Sequence, residues 1–258
     1  MVAEGDILLP PDGDREWLLG ALAELVRACG PAPLLVAPLI AGDARFFPDP
    51  WAGGKASVRR LLRRLLGYAG IDADTVEVEV YGADDERARV GRPSGNLAGV
   101  SDLWLVEARG ATLRFAVEGT LLADPEAVVA AAARAVADAF RSLRSLRVRD
   151  ATEEQRRIDV TAVYLGFGRL TVDAAHRYAS GRPRPSRQGL LSPKAVAFLL
   201  GAVIVARELD ARALKAIASG LQANQRAFVR RSVELLQEER PPIAERLGLP
   251  PRDAWPEA

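Results

Sequence analysis

Apolar residues fall into two different periods along this chain, and the change of period divides it. Residues 15–29 place Leu18, Leu19, Leu22, Leu25 and Val26 at helical spacing, which predicts an amphipathic helix ending at Gly30-Pro31. The run Leu34-Leu35-Val36-Ala37-Pro38 reads as a strand or an extended entry into FFPDPW (46–51), where two prolines exclude regular structure. Residues 55–69 set Val58, Leu61, Leu62, Leu65 and Leu66 on one helical stripe, with Arg59, Arg60, Arg63 and Arg64 on the other side. That basic side is either a solvated face or a surface for an anionic partner.

The period then drops to two. VEVEVYG (76–82) alternates valine and glutamate as a strand with one wet face does, and LWLVE (103–107) and TLRFAVE (112–118) form a further pair around a turn at Arg109-Gly110. The polar stretch 83–99 reads as a loop. From Asp124, a favourable N-cap followed by proline, the helical period returns to about residue 146. RVRDATEEQRR (147–157) reads as a polar break. Helices are then expected over 157–178, with Val160, Val163, Tyr164 and Phe167 inward, and over 192–208, 210–219 and 221–238. GRPRPSRQG (181–189) resets the chain, and the tail beyond 250 is expected to be mobile. The pattern predicts an α+β fold, mainly helical, with a small mixed or antiparallel sheet. It divides into an N-terminal helical segment (1–33), a main body (34–240) and a C-terminal tail (241–258), together forming one compact domain.

Composition narrows the chemistry. The 258 residues carry 35 basic and 34 acidic side chains, for a net charge of +1, so no global field favours nucleic acid or an acidic membrane. There is one histidine, His176, and one cysteine, Cys29. A zinc site built from several imidazoles or thiolates is therefore out of reach of one chain, and so is an intramolecular disulfide. Cys29 sits in an apolar helical context and reads as a structural thiol. No basic leader precedes an apolar core at the start and no apolar run reaches membrane-spanning length, which points to a cytoplasmic protein without membrane insertion. WAGGK and GNLAG do not match a complete phosphate-binding loop. The glycines of YLGFG suit a bend or close helix packing.

The segments DVTAVYLGFGRLTVDAA (159–175), LLSPKAVAFLLGAVIVAREL (190–209) and LQANQRAFVR (221–230), with FFPDPW and LLADPEAVVA (121–130), resemble a family of mostly uncharacterised bacterial proteins. Fuller members of that family look like zincin metallopeptidases, with an HExxH helix followed by a helix carrying ExxxD. The resemblance implies a zincin-like domain spanning most of 34–235. Matched to that pattern, the first histidine, the catalytic glutamate and the second histidine fall on Arg134, Ala135 and Asp138. The ExxxD glutamate falls on Gln155, and the aspartate that supports the first histidine falls on Asp159. Four chemical positions are altered and one supporting position is kept.

A guanidinium cannot donate a lone pair to a cation and alanine is no base, so the resemblance implies a degenerate site with no catalytic residue, metal or cofactor. Arg134 then has three fates: facing solvent, pairing with Asp138 one turn away, or pairing with Asp159 in place of the histidine. The function expected is that of a non-catalytic, metallopeptidase-like protein serving interaction, structure or regulation, its partner another protein or a second copy. Arg59, Arg63, Arg141, Arg144 and His176 are the candidate interaction residues. His176 lies three residues after Asp173 and suits packing or a surface hydrogen bond. Two alternatives stand beside this. One is a hydrolase using a carboxylate metal site drawn from Glu118, Asp138, Glu153, Glu154 and Asp159. The other is nucleic-acid association through Arg141, Arg144, Arg147, Arg149, Arg156, Arg157, Arg182, Arg184 and Arg187, which the balanced charge disfavours.

Overall fold

The computed structural model describes residues 6–82, 92, 97, 101–175 and 188–255. In chain order these form α1 (Asp12–Cys29), α2 (Ala32–Val36), α3 (Gly54–Tyr68), β1 (Thr75–Tyr81), β2 (Leu103–Arg109), β3 (Thr112–Glu118), α4 (Pro125–Leu143), α5 (Ala151–Ala162), a π-turn (Val163–Phe167), α6 (Gly168–Ala174), α7 (Pro193–Ala206), α8 (Ala211–Ala218), α9 (Ala223–Glu238) and α10 (Ile243–Arg246). The architecture is α+β and mainly helical. Its sheet has the order β1-β3-β2, with β1 parallel and β2 antiparallel to β3, so it is mixed.

The period-two pattern decides which face of the sheet is dry. Val76 and Val78, Leu103 and Leu105, and Leu113, Phe115 and Val117 all enter the main core, against which α3 and α4 pack. On the opposite face Trp104 and Ala116 make a separate small cluster with Tyr81 and Val106. The main core runs from Leu18 of α1 through the sheet and α4 to α7, then to Ile243 and Leu247 around α10. Burying one valine, leucine or isoleucine side chain stabilises by about 1.5–3 kcal/mol, and both α1 and α10 contribute such side chains to this core.

Four sequence expectations change here. Leu34–Val36 is a turn of helix, not a strand. Its C-terminal carbonyls are collected by Arg207, whose Nε and Nη1 donate to the Leu34 and Ala37 carbonyls at 2.5 and 2.7 Å, and whose burial pushes its pKa down to about 10. The expected break over 147–157 ends early, because the Asp150 carboxylate accepts from the Glu153 amide at 2.7 Å and starts α5 at residue 151. The expected continuous helix over 157–178 is interrupted at Gly166, which adopts φ +89°. Its carbonyl accepts from the Ile40 amide at 3.0 Å, and a Cβ there would run into the Pro38 carbonyl. Finally, the segment after 250 is docked as far as residue 255. Trp255 packs against the core and Arg252 pairs with Glu208 at 2.6 Å. No described helix is long and apolar enough to cross a membrane.

Candidate functional site

The α4 helix begins where the sequence says it should: the Asp124 carboxylate accepts from the Ala127 amide at 3.1 Å and Pro125 fills the first turn. Its middle is a run of buried alanines, small enough to bring α5 close. Arg134 and Arg141, seven residues and two turns apart, both face α5. Neither long cation reaches solvent: Arg134 is 6% exposed and Arg141 2%. A buried guanidinium requires partners for its charge and its donors, and α5 supplies both sets.

Arg134 Nε donates to Asp159 Oδ1 at 2.7 Å, and Nη2 donates to Gln155 Oε1 at 2.6 Å and to the Gln155 carbonyl at 3.2 Å. The other oxygen of Asp159 accepts from the Leu190 and Leu191 amides at 2.7 and 2.9 Å. Asp159 thus ties α4, α5 and the segment entering α7 together. Gly189 permits this closure, since it holds φ +90° and a Cβ would lie 2.8 Å from the carboxylate. Two turns along, Arg141 Nε and Nη2 donate to the two oxygens of Glu154, both at 2.8 Å, and Nη2 also reaches the Leu146 carbonyl at 2.7 Å. The Val148 amide completes that carboxylate at 2.9 Å.

Of the five positions matched to the peptidase pattern, Arg134, Gln155 and Asp159 therefore meet. Asp138 does not join them. It accepts from Arg147 Nη2 at 2.6 Å, and burial holds its carboxyl above the ordinary value of 3.8 while Arg147 pulls it back. Ala135 is packed in the apolar core. Arg134 takes the third of its three fates, pairing with Asp159.

The candidate interaction residues separate. Arg141 is corrected: it is buried in the ion pair with Glu154 and offers no surface. Arg59 is half-buried, Arg63 and Arg144 are exposed, and the Arg144 guanidinium lies 5.5 Å from the Phe140 ring centre. His176 lies outside the described residues, as do Arg182, Arg184 and Arg187. The other arginines proposed for nucleic acid are largely engaged internally. Arg147 pairs with Asp138, Arg157 with Glu24 and Glu153 at 2.5 and 2.7 Å, and Arg156 stacks 3.8 Å above Trp17. Burial raises the Cys29 thiol above its ordinary 9.0, which keeps it protonated and unreactive near neutrality.

The carboxylates proposed as an unconventional metal site are likewise distributed among arginines. Glu118 accepts from Arg92, Asp138 from Arg147, Glu153 from Arg157, Glu154 from Arg141 and Asp159 from Arg134. Among the described residues no group of three or more His, Cys, Asp or Glu side chains converges in a way that could hold a metal ion.

Sequence reasoning missed two features. The Arg141–Glu154 pair was signalled by the seven-residue repeat of arginine within an alanine run. The second is a cavity of about 620 Å³ between the FFPDPW loop, α3, the first turns of α4, and α6. Phe47, Trp51, Leu61 and Leu170 line it together with Arg60 and Arg64. The α3 face leading into it carries Lys55, Arg59, Arg60, Arg63 and Arg64 and no acidic residue. Like charges one turn apart on a helix cost about 0.2–0.5 kcal/mol per pair, so this face carries a small repulsion of its own. No protein-family model, curated protein or solved structure matches this chain.

Proposed function

We propose that this protein is a non-catalytic, metallopeptidase-like scaffold that works through protein interaction. The observation that carries the reading is the buried Arg134–Asp159–Gln155 knot, at positions where the resembled peptidases keep a histidine ligand, its supporting aspartate and a glutamate ligand. A permanent cation fills the place of a metal ligand and neutralises the retained aspartate. The guanidinium supplies positive charge to the same carboxylate that would otherwise orient an imidazole, so the two helices stay joined. With alanine at 135 there is no carboxylate to take a proton from a metal-bound water. The exposed basic face of α3 beside the cavity supports the interaction half of the reading.

The test is elemental analysis of protein purified without a tag and equilibrated with zinc. The expected result is far less than one zinc per chain. Near-stoichiometric zinc that is lost in an Asp138→Ala or Asp159→Ala protein would overturn the reading.

A further inference from the structure

Helix α3 fixes its orientation with Val58, Leu61, Leu62, Leu65 and Leu66, all buried, and so commits its cations to the opposite side. At helical spacing they form two rows, Lys55-Arg59-Arg63 and Arg60-Arg64. Among the described residues only Arg64 has a carboxylate partner, Asp49 at 2.5 Å. Lys55, Arg60 and Arg63 are exposed, and Arg59 Nε is buried without a hydrogen-bond partner. By contrast, Arg134, Arg141, Arg157, Arg231 and Arg246 each meet a carboxylate. The row containing Arg60 and Arg64 borders the cavity, whose far wall holds Phe47, Trp51 and Leu170.

We propose that the basic face of α3 and the adjoining cavity form a docking surface for an acidic polypeptide segment with an apolar anchor residue. Carboxylates of the segment pair with Lys55, Arg59, Arg60 and Arg63, and the anchor enters the cavity against Trp51 and Leu61. The chemistry favours a polypeptide over a nucleic acid. Asp43, Asp49, Glu126 and Asp173 also line the cavity, so the segment's carboxylates stay on the α3 rows and only its uncharged anchor enters, whereas a phosphate backbone needs a continuous positive track. A peptide alternates acidic and apolar side chains at a spacing of about 3.3 Å per residue, and α3, at 1.5 Å per residue over its 15 residues, offers a matching length for several of them. This inference rests on the interaction half of the proposed function and not on its metallopeptidase half.

The test is fluorescence anisotropy with a labelled glutamate-rich peptide carrying one central phenylalanine. Controls are the same peptide with serine replacing phenylalanine and a single-stranded DNA of equal charge. Expected are saturable, salt-sensitive peptide binding, weaker binding of the serine peptide, and a loss of about tenfold or more in an Arg60→Glu/Arg63→Glu protein. An Arg60→Lys/Arg63→Lys protein is expected to retain binding, since charge and not a bidentate fork is required. Thermal melts matching the wild type show that the exposed substitutions leave the fold intact. No saturable peptide binding, DNA binding tighter than the phenylalanine peptide, or indifference to Arg60→Glu/Arg63→Glu would each overturn the proposal. Zinc measured in the same preparation separates the two readings. A zinc-loaded protein that still binds peptide supports this surface while removing the degenerate-site reading, and a zinc-free protein that ignores peptide overturns the surface alone.

Discussion

Helices α3 and α4 pack against each other and use arginine in opposite ways. In α4, Arg134 and Arg141 are drawn inside, and each is met by a carboxylate from α5, Asp159 and Glu154. In α3, Arg60 and Arg63 are exposed and Arg59 is half-buried, and no described acid answers them. The difference lies in the neighbour more than in the residue. The alanines of α4 admit α5 at close range, and α5 presents Glu154, Gln155 and Asp159 along one side. The apolar stripe of α3 is consumed by the sheet and by α4, which leaves its cations to solvent or to a partner. Buried arginine in α4 joins two helices of the fold, and the exposed arginines of α3 are the ones proposed to meet a partner.

Removing one member of the buried pair should break the contrast most strongly. Asp159→Ala strands the Arg134 guanidinium and the Leu190 and Leu191 amides, and a loss of about 3–5 kcal/mol is expected in urea unfolding. The paired replacement Arg134→Met/Asp159→Leu should recover the part of that loss due to the unpaired guanidinium, because both charges go together, and not the part due to the hydrogen bonds from Leu190 and Leu191. If Asp159→Ala unfolds at the wild-type midpoint, the knot does not join the helices.

A smaller effect concerns pH. The Asp138 carboxyl lies above its ordinary 3.8, so the folded chain keeps a proton that the unfolded chain has already released. The stability it contributes is fully present below pH 3.8 and is lost as pH rises through the elevated value. Asp138→Asn should remove this part of the slope, which unfolding midpoints measured across the acidic range will show. An unchanged slope would mean that Asp138 titrates normally.

The smallest effect belongs to α3. Arg63→Gln should change stability by no more than about 0.5 kcal/mol, in the stabilising direction because a repulsion with Arg59 is relieved. A loss comparable to that of Asp159→Ala would erase the distinction between the two helices.

Much of this arrangement is legible in the sequence. The stripe of Val58, Leu61, Leu62, Leu65 and Leu66 fixed α3, the valine-glutamate alternation fixed β1, and the Asp124-Pro125 start fixed α4. Pairing of Arg134 with Asp159 was one of three fates that helical register and the resemblance left open, and the structure takes it. What escaped had specific causes. Leu34–Val36 is too short for periodicity to separate helix from strand, and its helix depends on Arg207, distant in sequence. The start of α5 was masked by charge, although Asp150 followed three residues later by Glu153 is a helix-start signal. Arg141 looked like a surface cation because a pattern of arginines three residues apart, 141, 144 and 147, does not reveal which one meets a glutamate across the turn. The cavity is assembled from loop and helix ends that no local pattern brings together.

The central proposal is that Arg134, Asp138 and Gln155 stand at positions where the resembled peptidases keep metal ligands, with Arg134 and Gln155 meeting across α4 and α5 and Asp138 paired with Arg147 instead. Zinc titration of the Arg134→His/Asp138→His/Gln155→Glu protein, followed by calorimetry beside the wild type, tests it most directly. The predicted result is one zinc per chain in the substituted protein, with Asp159 left to orient the imidazole at 134, and no comparable binding in the wild type. A substituted protein that folds and binds no more zinc than the wild type would contradict the account.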